Sequence, residues 1–190
     1  MDSVTNKYIQ AYFEVPKVKA DLIAPLFKAA DYKKGDFLVR EGQQCLHLGF
    51  IVSGFMRVYN YKDGRDITQW ISCQDDLITD LSSFTFHTPS RWNIQAMSDV
   101  QLQVIHRNDF ENITSSIPDW DKIIRVFLSK CFLNLEDRVF SFLALSAQER
   151  YDQLFASKPD LFNQVPLHNI ASMLGMSPET LSRIRSKQIS

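Results

Sequence analysis

The feature that most restricts the fold of this chain is a run of about 28 residues after Ser116, in which Pro118 suits a first helical turn and no helix breaker follows it. Apolar residues recur there at steps of three and four, from Ile117 to Phe142, which is the period of an amphipathic helix. Such a helix is on the order of 40 Å long. The compact unit before it has little surface to cover it, so we predict that the helix pairs with a second copy of the chain in a two-fold dimer.

The residues before this helix follow a different pattern. Residues 6–28 predict a short helical lead-in, which Pro16 and Pro25 interrupt. From Ala29 to about His106, short apolar stretches alternate with turn residues, as in a β-sandwich or barrel. The pair Asp63-Gly64 predicts a tight hairpin. The predicted strands are Phe37–Val39, Phe50–Val52, Phe55–Tyr61, Ile67–Ile71, Trp92–Ala96 and Val100–Ile105.

The C-terminal stretch from Leu167 to Ser186 has the residue types that a helix-turn-helix requires. Ala171 is small enough to let a second helix approach the first. Gly175 can adopt the positive φ that ends a helix. Ser177 can cap the second helix, and Pro178 suits its first position. The predicted shared core consists of Ile170, Leu174, Met176, Leu181 and Ile184.

Charge is consistent with DNA binding only when it is considered locally. The whole chain has a net charge of −1, but the residues from Leu167 onward have three basic side chains and one acidic side chain. Local charge sets the affinity for phosphates. We therefore predict that the second helix enters the major groove of double-stranded DNA. The alternative is a helical hairpin in a ligand sensor that does not bind DNA, and the intact turn chemistry argues against it.

Composition narrows the class of protein further. The hydrophobic fraction of 45% is typical of a globular chain, and no apolar run is long enough to cross a bilayer. The N-terminus shows no secretory signal. Cys45, Cys73 and Cys131 are odd in number and far apart, which favours free thiols in a reducing compartment. We expect a cytoplasmic protein without contact to a membrane.

The chain resembles the Crp/Fnr regulators. The similarity is greatest over Ser177–Ile184, where Glu-Thr is followed by an arginine, and it continues at Gly35, Gly42 and Gly54, which match turn glycines of that family. The resemblance implies an α+β fold with a sensor, a dimerisation helix and a DNA-binding domain. The sensor would be a cyclic-nucleotide-binding-like β-roll (a double-stranded β-helix, similar to a jelly roll). The implied bounds are 1–116, 117–146 and 147–190, in that order.

The resemblance also implies roles for the recognition helix. Glu179 and Arg183 would read base edges, and Thr180 and Ser182 would contact phosphates or bases. Pro178 stands where some members of the family have another base-reading arginine.

The flanking positions complete the predicted DNA-binding surface. Ser177 caps the helix, while Arg185 and Lys187 would lie beside the sugar-phosphate backbone. Because the sequence stops at Ser190, we expect the β-hairpin wing of the family to be missing or reduced. RNA polymerase and a small-molecule effector are the further partners that the resemblance suggests.

The segment expected to bind an effector is altered. Family members that bind cyclic AMP have Gly-Glu-Leu and then Arg-Ser or Arg-Ala, where amides and a fixed cation hold the phosphate. Here the corresponding residues are Asp80 and Leu81, preceded by Thr79, and then Ser90 and Arg91. The glycine is lost, the acid is shorter, and the arginine is displaced by one position, which reverses its face in a strand. We predict a ligand other than cyclic AMP at these residues, or none.

An enzyme is the alternative from a different class. A cupin-like metal-dependent barrel would need clustered histidines and a carboxylate, whereas His47, His87 and His106 are isolated in the sequence. Cys45 beside His47 lacks a second ligand pair, and Asp75, Asp76 and Asp80 are more simply explained by a turn followed by the altered segment. We therefore expect no metal, no cofactor and no catalytic activity.

Overall fold

The computed structural model describes residues 3–189, and the chain forms a β-roll with helices at both ends. The strands are β1 (Lys28–Tyr32), β2 (Phe37–Val39), β3 (His47–Ser53), β4 (Met56–Lys62), β5 (Arg65–Ser72), β6 (Leu77–Ile78), β7 (Asn93–Ala96) and β8 (Val100–His106). The helices are α1 (Val4–Phe13), α2 (Lys17–Ile23), α3 (Leu81–Phe86), α4 (Arg107–Asn112), α5 (Trp120–Ala144), α6 (Ala147–Ser157), α7 (Leu161–Gln164), α8 (Leu167–Met173) and α9 (Pro178–Ile189). The predicted α+β class is confirmed.

Two four-stranded antiparallel sheets make up the roll. One has the order β1-β8-β3-β6 and the other β2-β7-β4-β5, and they do not close into a barrel within residues 3–189. Ile51 and Leu102 from the first sheet and Met56 and Ile94 from the second share one buried core. The predicted hairpin at Asp63-Gly64 joins β4 and β5, with φ values of 52° and 72°. Two strands, β1 and β6, were not predicted.

A second core lies between the N-terminal helices, the roll and the first half of α5. Phe13 of α1 stacks on Phe127 of α5, with ring centroids 4.8 Å apart, and Trp120 of α5 also packs against the Phe13 ring. The prediction that the whole stripe from Ile117 to Phe142 faces a partner is therefore wrong for its first half. That half is covered by residues of the same chain, because α1 and α2 fold back onto it.

The second half of α5 keeps its apolar side chains exposed. Phe132, Val139 and Leu143 are 65%, 50% and 83% exposed. A contiguous apolar surface of this kind usually marks an interaction site.

The region after α5 is more ordered than the sequence suggested. Residues 147–166 form a polar, proline-containing stretch in the sequence, but they contain α6 and α7. Helix α6 begins with a capping box, in which the Ser146 hydroxyl accepts from the Glu149 amide and the Glu149 carboxylate accepts from the Ser146 amide. Tyr151, Leu161 and Phe162 then pack with α8 and α9 in a third core.

Candidate DNA-binding and effector sites

The turn between α8 and α9 has the geometry that its residues predict. The Met176 amide donates to the Ala171 carbonyl at 3.0 Å, and the Gly175 amide donates to the Ser172 carbonyl at 3.1 Å. Gly175 has a φ of 63°, which is the left-handed conformation. This conformation allows the two hydrogen bonds to satisfy carbonyls at the C-terminal end of α8. The predicted core residues Ile170, Leu174, Leu181 and Ile184 are buried, and Met176 is partly buried.

The start of α9 is capped as expected. The Ser177 hydroxyl accepts a hydrogen bond from the Thr180 amide at 3.2 Å, which satisfies one of the free amides of the first turn. A hydrogen bond from Ser177 also lowers the pKa of Glu179. A backbone hydrogen bond and the positive charge of Arg183 lower this pKa further. Glu179 is therefore an anion at neutral pH and can accept hydrogen bonds from a partner.

Most of the predicted DNA-contacting side chains of α9 project into solvent. Glu179 and Arg183 lie one turn apart and are both exposed. Arg185 differs, because its guanidinium lies 6.0 Å from the Phe162 ring of the same chain and is partly buried. The other predicted positions are exposed, apart from the partly buried Thr180: Ser177, Pro178, Ser182 and Lys187.

Helix α8 is docked against the edge of the β-roll. The Ser172 hydroxyl accepts from the Thr68 amide and donates to the Asp66 carbonyl, both at 2.9 Å. Strand β5 is the last strand of its sheet, so one serine satisfies two backbone groups that would otherwise lack a strand partner. The helix-turn-helix therefore has a defined position relative to the sensor.

Two arginines hold the end of α8 from the other side. Arg138 of α5 donates to the Met173 carbonyl at 2.8 Å, and Arg150 of α6 donates to the Leu174 carbonyl at 3.0 Å. Both guanidinium groups lie over the Phe142 ring, 5.0 and 5.2 Å from its centroid. These contacts were not predicted, because they join residues that are far apart in the sequence.

Asp80 caps α3 and is buried. Its carboxylate accepts from the Ser83 amide at 3.2 Å, from the Ser90 hydroxyl at 2.6 Å and from the Arg91 amide at 3.2 Å. Ser90 is buried as well, whereas the Arg91 side chain is exposed. The carboxylate is thus engaged by its own chain, and the guanidinium of Arg91 is directed into solvent.

Comparison with known proteins supports the same architecture. Residues 30–116 match the family model of the cyclic nucleotide-binding domain. FixK2 from Bradyrhizobium japonicum is similar, with a TM-score of 0.69 and 17% identity over 85% of this chain and 83% of that one. A putative Crp/Fnr regulator from Eubacterium rectale gives a TM-score of 0.69 with 18% identity, over 96% of this chain and 88% of that one. The chain has the Crp/Fnr fold.

In a third solved structure the similarity extends over nearly the whole chain. CooA from Carboxydothermus hydrogenoformans, as a double mutant, has a TM-score of 0.61 and 20% identity over 98% of this chain and 85% of that one. No curated protein matches the sequence. The resemblance to the Crp/Fnr family is confirmed. None of the helices within residues 3–189 combines the length and apolarity needed to span a bilayer.

In this Crp/Fnr fold, a cleft of about 440 Å³ separates the roll from α5, at the place where α3 begins. Leu81 lines it together with Asp80, while Trp70 and Trp92 form an aromatic wall and Leu135 closes the α5 side. Of the four predicted ligand-binding residues, Asp80 and Leu81 border the cleft, and Ser90 and Arg91 do not. The walls of the cleft are mainly apolar, whereas a phosphate requires backbone amides and a fixed cation.

Two of the three histidines that are isolated in the sequence meet in the fold. Strands β3 and β8 pair His47 directly with His106, with ring centroids 5.3 Å apart, so the prediction that they lie apart is wrong. Burial and the neighbouring His106 lower the pKa of His47. His87 lies apart, against Glu111. The described residues 3–189 contain no group of three His, Cys, Asp or Glu side chains arranged to hold a metal.

Proposed function

We propose that this protein is a DNA-binding transcription regulator that binds a pseudo-palindromic operator as a homodimer. One observation carries the proposal: a helix-turn-helix with correct turn and cap geometry presents the first two turns of α9 to solvent. Those turns are the part of a recognition helix that enters the major groove. The regulators with the same fold support this function.

The base-reading residues are Glu179 and Arg183. An arginine can donate two hydrogen bonds to O6 and N7 of guanine, and a carboxylate can accept from N4 of cytosine. The two residues are four positions apart and exposed, so they can contact neighbouring base pairs from one helix face. Ser182 and Lys187 are also exposed and would contact the sugar-phosphate backbone.

The dimer interface is the exposed second half of α5. Phe132, Leu135, Val139 and Phe142 follow one another at steps of three, four and three, which is the spacing of a helix pair. All four are at least 39% exposed in the single chain. Pairing with the same face of a second copy would remove this apolar surface from water.

Cyclic AMP does not fit the altered segment, and we propose that any effector has a different chemistry. The Asp80 carboxylate already accepts from the Ser83 and Arg91 amides and the Ser90 hydroxyl, so it is not free to accept from the ribose hydroxyl of a cyclic nucleotide. Arg91, which would supply the compensating cation, is exposed.

The function is tested by selecting bound duplexes from a random DNA pool. We expect a two-fold symmetric consensus with half-sites about one helical turn apart, because a symmetric dimer places its recognition helices at that spacing. A pool that shows no enriched sequence would contradict the proposal.

The dimer is tested by placing a charge in the apolar stripe. Val139→Asp should give monomers and lose operator binding, since a carboxylate buried in a helix pair costs several kcal/mol. Ser115→Asp adds the same charge at an exposed position outside α5 and is the matched control. Light scattering should report a dimer for the wild type and the control. A monomeric wild type at micromolar concentration would contradict this interface.

A further inference from the structure

A second cavity lies at the junction of β5, α5, α6 and the end of α8, and it adjoins the cleft at α3, with which it shares Trp70 and Asn134. Its volume is about 280 Å³. Trp70, Leu154 and Met173 provide apolar walls, and Arg138 and Arg150 provide two cations. Asn134, Arg138, Ser141 and Phe142 line the cavity from α5, and Phe142 is also the last residue of the exposed stripe.

The guanidinium groups of Arg138 and Arg150 form no ion pair with a carboxylate of the described residues. Among residues 3–189, no carboxylate lies within ion-pair distance of Arg138 or Arg150, although Asp137 also lines the cavity. Lys158, the third cation on the wall, is already paired with Asp76. Burial without a compensating charge lowers the pKa of Arg138 to about 10. Partly buried cations of this kind are normally paired.

The hydrogen bonds of the two arginines leave donors unused. A guanidinium has five N–H donors. Arg138 uses Nη2 for the Met173 carbonyl, and Arg150 uses Nε and Nη1 for the Leu174 and Leu145 carbonyls. Capping the end of α8 therefore explains only part of the donor set. A carboxylate would accept hydrogen bonds from the unused donors and would supply the missing counter-charge.

We propose that this cavity binds a small organic anion, consisting of a carboxylate on an apolar body. The carboxylate would lie between Arg138 and Arg150, and the apolar body would pack against Trp70 and Leu154. A guanidinium binds a carboxylate through two parallel hydrogen bonds, and low exposure strengthens such bonds. The apolar walls favour an organic carboxylate over a bare inorganic anion.

Benzoate, benzamide and inorganic phosphate are suitable probes. In calorimetric titrations of the full chain, we expect saturable binding of one benzoate per chain. Benzamide has the same shape without the charge and should bind at least tenfold more weakly, and so should phosphate, which lacks the apolar body. Because Arg138 lies 4.9 Å from the Trp70 ring centroid, benzoate should also change tryptophan fluorescence. No saturable benzoate binding at millimolar concentration, or equal binding of benzamide or phosphate, would overturn the proposal.

Variants locate the site. Arg150→Gln should weaken benzoate binding at least tenfold, while Arg40→Gln, which removes an exposed arginine outside the cavity, should not change it. Ser141→Leu fills the cavity and keeps both cations, so it tests the site even if Arg150→Gln fails to fold. Benzoate binding that survives Ser141→Leu unchanged would place the ligand elsewhere and refute the assignment. The titration needs no DNA, so its outcome is independent of operator binding.

Discussion

Helix α9 begins at a neutral cap, whereas helix α3 begins at a charged one. Ser177 satisfies one amide of α9 through its hydroxyl and lies exposed at the surface. Asp80 places a buried carboxylate at the start of α3 and gathers three donors around it. Both residues cap a helix, but only the first leaves the helix start open to a negatively charged partner. The cap residue therefore distinguishes the two helices: the start of α9 is suited to DNA, and the start of α3 stabilises the fold.

The largest expected effect comes from removing each cap. Asp80→Ala should lower the free energy of unfolding by about 2–4 kcal/mol, because it removes a buried cap and leaves the Ser83 and Arg91 amides without their side-chain acceptor. Ser177→Ala should lower it by only about 1 kcal/mol, because its site is exposed to water. Urea denaturation of both variants measures the difference. Equal losses would remove the distinction between the two caps.

The next effect concerns the turn that sets the direction of α9. Gly175 and Gly64 both have positive φ, so alanine costs about 1 kcal/mol of backbone strain at either position. A Cβ at Gly175 would also lie 2.5 Å from Cε1 of Phe142, whereas a Cβ at Gly64 meets nothing within 4 Å. Gly175→Ala should therefore cost at least about 1 kcal/mol more than Gly64→Ala. Equal unfolding free energies would show that Phe142 does not pack against this turn.

The smallest expected effect is that of cyclic AMP. At physiological concentration it should shift neither the Tm nor the affinity for the operator, because a ligand stabilises only a state that it binds. Thermal denaturation with and without cyclic AMP provides the measurement, and cyclic GMP is a matched control for nucleotides in general. A clear thermal shift with cyclic AMP would show that Asp80 and Arg91 rearrange to admit the phosphate.

The helix-turn-helix was predictable because its requirements are local. Gly175 must be left-handed, Ser177 must cap, and Pro178 must start a helix, and each of these is decided by neighbours within a few residues. Helix α6 has an equally local signal, the capping box from Ser146 to Glu149, so its start is also encoded by neighbouring residues.

Features that depend on distant residues were not predictable. Strand β1 contains two alanines and an aspartate, and it is a strand because it pairs with β8. The apolar stripe of α5 is continuous in sequence, so nothing local shows that its first half packs on Phe13 of the same chain. The hydrogen bonds from Arg138 and Arg150 to the end of α8 also depend on three separate elements, α5, α6 and α8.

Binding of Arg183→Ala and Lys187→Ala to the selected operator and to a scrambled duplex, across a salt series, tests most directly whether α9 reads bases. Arg183→Ala should cost about 1–3 kcal/mol per half-site on the operator and little on the scrambled duplex, because it removes a base contact. Lys187→Ala should weaken both duplexes alike and reduce the salt slope by about one unit per contact, because it removes a phosphate contact. Equal losses for Arg183→Ala on the two duplexes would contradict the docking of α9 in the major groove.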